Sequence, residues 1–105
     1  MVSALSVLDV IKARGSIRSY KDKPIPKQAL LDILEAARMA QSAANRQPWE
    51  FIVVTDPAIK KKLVQAVGHQ SFVGEAAAVL VCLANPEESA SVGPFEGFLI
   101  DLAIA

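Results

Sequence analysis

Apolar residues recur along this chain with different periods, and each period marks an element. Leu5, Leu8 and Ile11 stand three apart around Ser6, and Asp9, three residues after that serine, completes a capping box with Asp where Glu is usual. A short first helix therefore ends near Arg14. Gly15 supplies a left-handed stop. Beyond it, Ser16-Ile17-Arg18-Ser19-Tyr20 alternates polar with β-branched and aromatic side chains and reads as extended. Pro24 and Pro26 bracket Ile25 and open a second helix from Lys27 to Ala40. Leu30, Leu31, Leu34, Ala37 and Met39 fall largely on one of its faces, with Asp32, Glu35 and Arg38 off it. Glu35 and Arg38 stand at i,i+3, a surface pair with no functional meaning.

The period then lapses. Gln41-Ser-Ala-Ala-Asn-Arg-Gln-Pro48 reads as a loop, because Pro48 turns Gln47 away from helical angles, and it feeds a strand over Trp49–Thr55. Asp56 and Pro57 are an N-cap and a first-turn proline for a third helix, which Gly68 closes. Ala76–Ala84 is continuously apolar, as in a strand covered on both faces, and Asn85-Pro86 stops it. From Pro94, the residues Phe95, Phe98, Leu99 and Leu102 follow i, i+3, i+4 and i+7. No Gly, Asn or basic last turn precedes Ala105, so a helix cut in mid-course is expected there; the alternative is a naturally frayed C-terminal helix. The chain has no internal repeat, and its 17 alanines favour closely packed helices.

Composition narrows the class. With 105 residues the chain is one domain at most, and at 52% hydrophobic it is too apolar for a disordered one. A single cysteine cannot staple the fold or build a thiolate metal site. No run of 18 apolar residues exists, and the start, Met1-Val-Ser-Ala, has no basic leader region, which points to a soluble cytoplasmic protein with no membrane span. Zero net charge argues against a nucleic-acid partner. That zero conceals a polarity of +3 before Val53 and −3 from it onward. Residues 1–27 hold six basic side chains against Asp9 and Asp22, enough to favour a small anion locally.

Candidate chemistry is sparse. The one histidine, His69, lies at a helix end, and the one cysteine, Cys82, sits in an apolar strand where it resembles a small buried hydrophobe, so no catalytic triad is built. Glu87-Glu88 reads as a solvated turn, and no metal site is supported. Glycine-rich nucleotide motifs are absent. Chemistry here would come from a bound cofactor, with the protein supplying position and polarity. Arg14, Ser16 and Arg18, two apart in an extended segment, project to one side and offer two guanidinium forks and a hydroxyl, a set suited to a phosphate monoester; the alternative is an exposed arginine pair beside a turn. Asn45 and Gln47, also two apart, each present a donor and an acceptor to a heterocycle that alternates carbonyl and N–H groups. The alternative is a loop capped by its own amides. Trp49 reads as core.

Arg14-Gly-Ser-Ile-Arg-Ser-Tyr20, Lys23-Pro-Ile-Pro26 leading into Leu30-Leu-Asp-Ile-Leu-Glu-Ala-Ala-Arg38, and Ser42-Ala-Ala-Asn-Arg-Gln-Pro-Trp-Glu-Phe-Ile-Val-Val54 together resemble the nitroreductase family of FMN-dependent NAD(P)H oxidoreductases. The similarity is strong through Val54 and looser over Glu75–Val81 and at Asp101. It implies an α+β fold with a central, mainly antiparallel sheet wrapped by helices, forming a homodimer with FMN at the subunit interface. By position, Arg14, Ser16 and Arg18 would hold the phosphate and ribityl end, Asn45 and Gln47 the ring and ribityl, and Ser42 would lie in the loop that approaches the flavin of the other subunit. Gln70 falls where a further side-chain contact often sits. The implied reaction carries hydride from NAD(P)H through FMN to a small-molecule electron acceptor such as a nitroaromatic or quinone, with no obligatory catalytic side chain. Gln41 and Ala43 depart from the family's usual Pro and small hydroxyl residue. Family chains are longer, so residues 1–105 are expected to be the N-terminal part of a single FMN-binding domain. A non-enzymatic flavin-binding or oligomerising module is the alternative.

Overall fold

Two six-residue strands form the centre of the molecule. In the computed structural model, which describes residues 5–88, 91, 92 and 95–105, strand β1 (Trp49–Val54) pairs antiparallel with β2 (Val79–Ala84) along its whole length, from Trp49 opposite Ala84 to Val54 opposite Val79. Five helices accompany the pair among the described residues: α1 (Val7–Ala13), α2 (Lys27–Arg38), α3 (Pro57–Ala66), α4 (Phe72–Glu75) and α5 (Gly97–Ile104), of which α5 packs against both strands. A two-residue ladder, β3 (Ser91–Val92) with β4 (Phe95–Glu96), precedes α5. The architecture is α+β with antiparallel pairing.

Local chemistry explains the helix ends. Ser6 Oγ accepts from the Asp9 amide at 3.1 Å and the Asp9 carboxylate accepts from the Ser6 amide at 3.1 Å, which closes the capping box of α1. The Ser6 hydroxyl and amide donors hold the Asp9 carboxyl below its ordinary range. At α3 the Asp56 carboxylate accepts from the Ala58 amide at 2.8 Å. The far end closes as a Schellman turn: Gly68 adopts φ 74° and the His69 amide donates to Val64 O at 2.9 Å. α4 then turns back onto α3 so closely that a Cβ on Gly74 would lie 3.0 Å from Val64 Cγ2. Lys60 of α3 donates to Ala76 O at 2.7 Å, tying this helix pair to the approach to β2.

Several elements differ from the sequence-based expectation. Ser16–Tyr20 joins no ladder; the Tyr20 hydroxyl donates to Ile17 O at 2.9 Å and its ring tilts against Phe72, 6.4 Å between centroids. Leu31 and Met39 of the α2 stripe are exposed, Met39 at 72%, whereas Ala29, Leu30, Leu34 and Ala37 are half-buried. β2 is incompletely covered: the adjacent residues Cys82 and Leu83, which point to opposite faces of the strand, are both exposed, so Cys82 is an exposed thiol and not a buried hydrophobe. Phe95 belongs to β4, and α5 begins at Gly97; the expected helix start at Pro94 and the leader reading at Met1–Ala4 lie outside the described residues.

Little of this apolar surface is enclosed. Val54 is the one hydrophobic side chain of the buried core among the described residues, beside the fully buried Pro48. The chain exposes 8256 Å², against roughly 5,700 Å² for a compact monomer of its mass. Its radius of gyration is 15.9 Å, against about 13 Å for a compact domain of about 100 residues. α1 shows the excess most plainly, with Val7, Leu8, Val10 and Ile11 all exposed.

Candidate functional site

The segment 41–48 holds three of the four left-handed non-glycine residues among the described residues. Ala44, Asn45 and Gln47 adopt φ of 53°, 52° and 51°, left-handed values that cost a non-glycine residue on the order of 1 kcal/mol each. Ser42 closes the loop around them: its carbonyl accepts from the Asn45 amide at 3.0 Å and its Oγ from the Gln47 amide at 3.0 Å. The exit is locked where the Asn85 amide donates to Pro48 O at 2.7 Å, extending the β1–β2 ladder by one step. The entry is locked by Asp101 of α5, whose Oδ1 accepts from the Ala43 amide at 3.1 Å.

This arrangement assigns roles within the loop. Because Ser42 supplies the closure, the side-chain amides of Asn45 and Gln47 have no hydrogen-bond partner among the described residues and stand exposed; the loop is not capped by its own amides. Ser42 Oγ still has its proton to donate. Next to the loop lies an open cavity of about 280 Å³ lined by Gln41, Ser42, Ala43, Ile100, Asp101 and Ile104.

Arg14, Ser16 and Arg18 lie on the exposed segment that leaves α1, with Arg14 extended at φ −66°, ψ 136°. Neither arginine has an acidic partner among the described residues, where the one ion pair is Glu35 with Arg38 at 2.6 Å. That pair lowers the Glu35 carboxyl and raises the Arg38 guanidinium from their ordinary values, chiefly through the hydrogen bond between them. The structure thus brings Ser42, Asn45 and Gln47 together and sets Arg14, Ser16 and Arg18 on a separate segment. No hydrogen bond or ion pair among the described residues joins the two groups. Gln70 is spent elsewhere, its amide donating to Val67 O at the end of α3.

Two uncompensated guanidiniums and a hydroxyl match a phosphate monoester, and two free amides match the edge of a heterocycle. The donor set therefore fits FMN. Among the described residues no group of three His, Cys, Asp or Glu side chains could hold a metal, and no helix is long and apolar enough to cross a membrane.

The model of the nitroreductase family matches residues 11–99, from the last turn of α1 into α5. The chain belongs to that family. Among relatives of this nitroreductase-family chain, an NADH dehydrogenase of Thermus thermophilus is 47% identical over 92 residues, covering 85% of this chain and 45% of its own. A solved nitroreductase family protein from Clostridium novyi superposes with a TM-score of 0.87 at 33% identity, over 95% of this chain and 59% of that one. An FMN-dependent nitroreductase from Clostridium difficile does so at 0.80 and 33% identity, over 93% and 54%. The fold is that of the nitroreductases. The chain spans about half the length of the curated relatives it matches.

Asp101 is the residue whose part the sequence reading did not foresee, although a signal was there. It is the single charge in the otherwise apolar octet Gly97-Phe-Leu-Ile-Asp-Leu-Ala-Ile104; Leu99, Ile100 and Ile104 of that helix are exposed while Asp101 is buried, and a buried acid needs a partner.

Proposed function

We propose that this chain is the N-terminal part of an FMN-binding oxidoreductase that takes hydride from NAD(P)H and delivers it to a nitroaromatic, quinone or related small-molecule acceptor. The observation that carries the reading is the strained Ser42–Gln47 loop, closed by a serine so that the two amides stay free, in a chain of the nitroreductase family. Bound FMN supplies the redox chemistry, accepting two electrons as hydride and passing them on. Arg14 and Arg18 hold its phosphate through guanidinium forks, with Ser16 donating beside them. Asn45 and Gln47 hydrogen-bond the ring and ribityl, and Ser42 fixes the loop that presents them. No side chain of this chain serves as an obligatory acid or base. The protein's part is to bind, to orient and to limit water at the flavin.

The bare apolar faces support a homodimer, and we place the protein in the cytoplasm on the strength of its family alone. A chain exposing Val7, Leu8, Val10 and Ile11 on one short helix gains by burying them against a second copy. The test is direct: the natural protein, purified, should carry flavin absorbance or take up FMN, and should then oxidise NADH or NADPH steadily with an added quinone or nitroaromatic. Absence of flavin with no uptake on reconstitution would overturn the reading. Flavin uptake without any NAD(P)H oxidation would instead leave a flavin-binding module.

A further inference from the structure

We propose that Asp101 is a positioning residue that clamps the entry of the 42–47 loop and thereby sets the two amides for the flavin; this rests on the reading of that loop as an FMN contact. Asp101 is 2% exposed, and its Oδ1 accepts from the Ala43 amide across 58 residues of sequence. The exit of the loop needs no such device, since Pro48 O is already held by the Asn85 amide next to the sheet. Between these two ties sit the left-handed residues Ala44, Asn45 and Gln47, whose strain would relax if either end were released. Ser42 closes the turn upon itself but anchors it to nothing else. Asp101 is the one side chain among the described residues that bonds the loop to another element.

Energetics favour the same conclusion. The second carboxylate oxygen, Oδ2, is buried without a partner among the described residues, and burying an unpaired polar group costs stability. An apolar residue would suit an otherwise apolar octet better. The acid is explained by what its other oxygen does, which is to accept the Ala43 amide at 3.1 Å and so hold the loop to α5.

A positioning role separates from a packing role by dissociating stability from loop order. In the natural full-length protein, Asp101→Leu should weaken FMN binding by about tenfold, the scale of one lost hydrogen bond, while the melting temperature of the apoprotein stays level or rises. Asp101→Asn, which keeps an acceptor at Oδ1, should restore most of the affinity. Ala43→Pro removes the donor N–H from the other side without touching α5, and Ser42 at φ −141°, ψ 156° already has the backbone that precedes a proline. It should reproduce the loss, and the double variant should be no worse than the weaker-binding single. Should Asp101→Leu fail to fold, Ala43→Pro carries the test alone. FMN affinity within about twofold of wild type in Ala43→Pro, or additive losses in the double variant, would overturn the proposal. Amide exchange gives a readout free of FMN: the Asn45 and Gln47 amides should exchange faster in either variant while those of β1 and β2 stay protected. If the wild type binds no FMN, the functional reading falls, and the exchange pattern still decides the clamp. Unchanged exchange at Asn45 and Gln47 would refute it.

Discussion

Replacing Arg18 by alanine is the sharpest test of the phosphate assignment, because the structure allows folding and binding to be separated. Arg18 is exposed and has no hydrogen bond or ion pair among the described residues, so its removal takes no native contact from the fold. Surface substitutions of that kind stay within about 0.5 kcal/mol of wild-type stability. A charge-assisted hydrogen bond to phosphate contributes about 1.5–3 kcal/mol, which is roughly a 10- to 150-fold rise in the FMN dissociation constant. The open segment favours the lower half of that range, since two charges about 4 Å apart attract by about 4 kcal/mol at a protein surface but only about 1 kcal/mol in bulk water. The assay is quenching of flavin fluorescence on titration, run in parallel with FMN and with riboflavin, which lacks the phosphate. Wild type should prefer FMN strongly, and Arg18→Ala should lose most of that preference while its riboflavin affinity changes by less than about twofold. Arg18→Lys should fall between, keeping the charge and losing the fork. An unchanged FMN affinity, or equal losses for FMN and riboflavin, would refute the assignment.

Further outcomes follow from the same structure. Asp56→Ala removes the N-cap of α3 and should destabilise by about 1 kcal/mol, seen as a fall of several degrees in melting temperature. The Asp9 carboxyl lies below its unfolded value, so the capping box stabilises α1 fully above the ordinary aspartate range and loses that contribution as pH falls through the depressed folded value. NMR titration should place its midpoint below 3.8 in wild type and return it upward in Ser6→Ala. Ile11→Lys, at a position 64% exposed on α1, should leave the helix folded and turn a sedimenting dimer into a monomer; a dimer that persists would place the subunit contact elsewhere. Val54→Ala should cost about 2 kcal/mol in denaturant unfolding, as expected for a buried side chain.

The elements were legible because their signals are local. Ser6 with Asp9, Asp56 with Pro57, and Gly68 each determine an end within one turn of chain, and the structure realises all three. Strands were expected over Trp49–Thr55 and Ala76–Ala84; β1 takes the first six residues of the former run and β2 the last six of the latter. The family resemblance was legible for a related reason. Arg-x-Ser-x-Arg and Asn-x-Gln-Pro-Trp are contiguous strings whose donor types can be read without knowing what they face.

Exposure was not legible in that way. A stripe such as Leu30, Leu31, Leu34, Ala37 and Met39 shows which face of a helix is apolar and says nothing about what covers it; here Leu31 and Met39 have no cover within the chain. Cys82 misled for the same reason, since a continuous apolar strand can be incompletely covered. The residues and their chemical repertoire were thus determined by sequence alone: caps, strands, the arginine pair, the two amides. Tertiary structure alone decided that Ala44, Asn45 and Gln47 turn left-handed, that Ser42 frees the amides by closing the loop, and that Asp101 from α5 holds its entry. Local propensity acts over a few residues, whereas strain in a short loop persists only when groups distant in sequence meet around it.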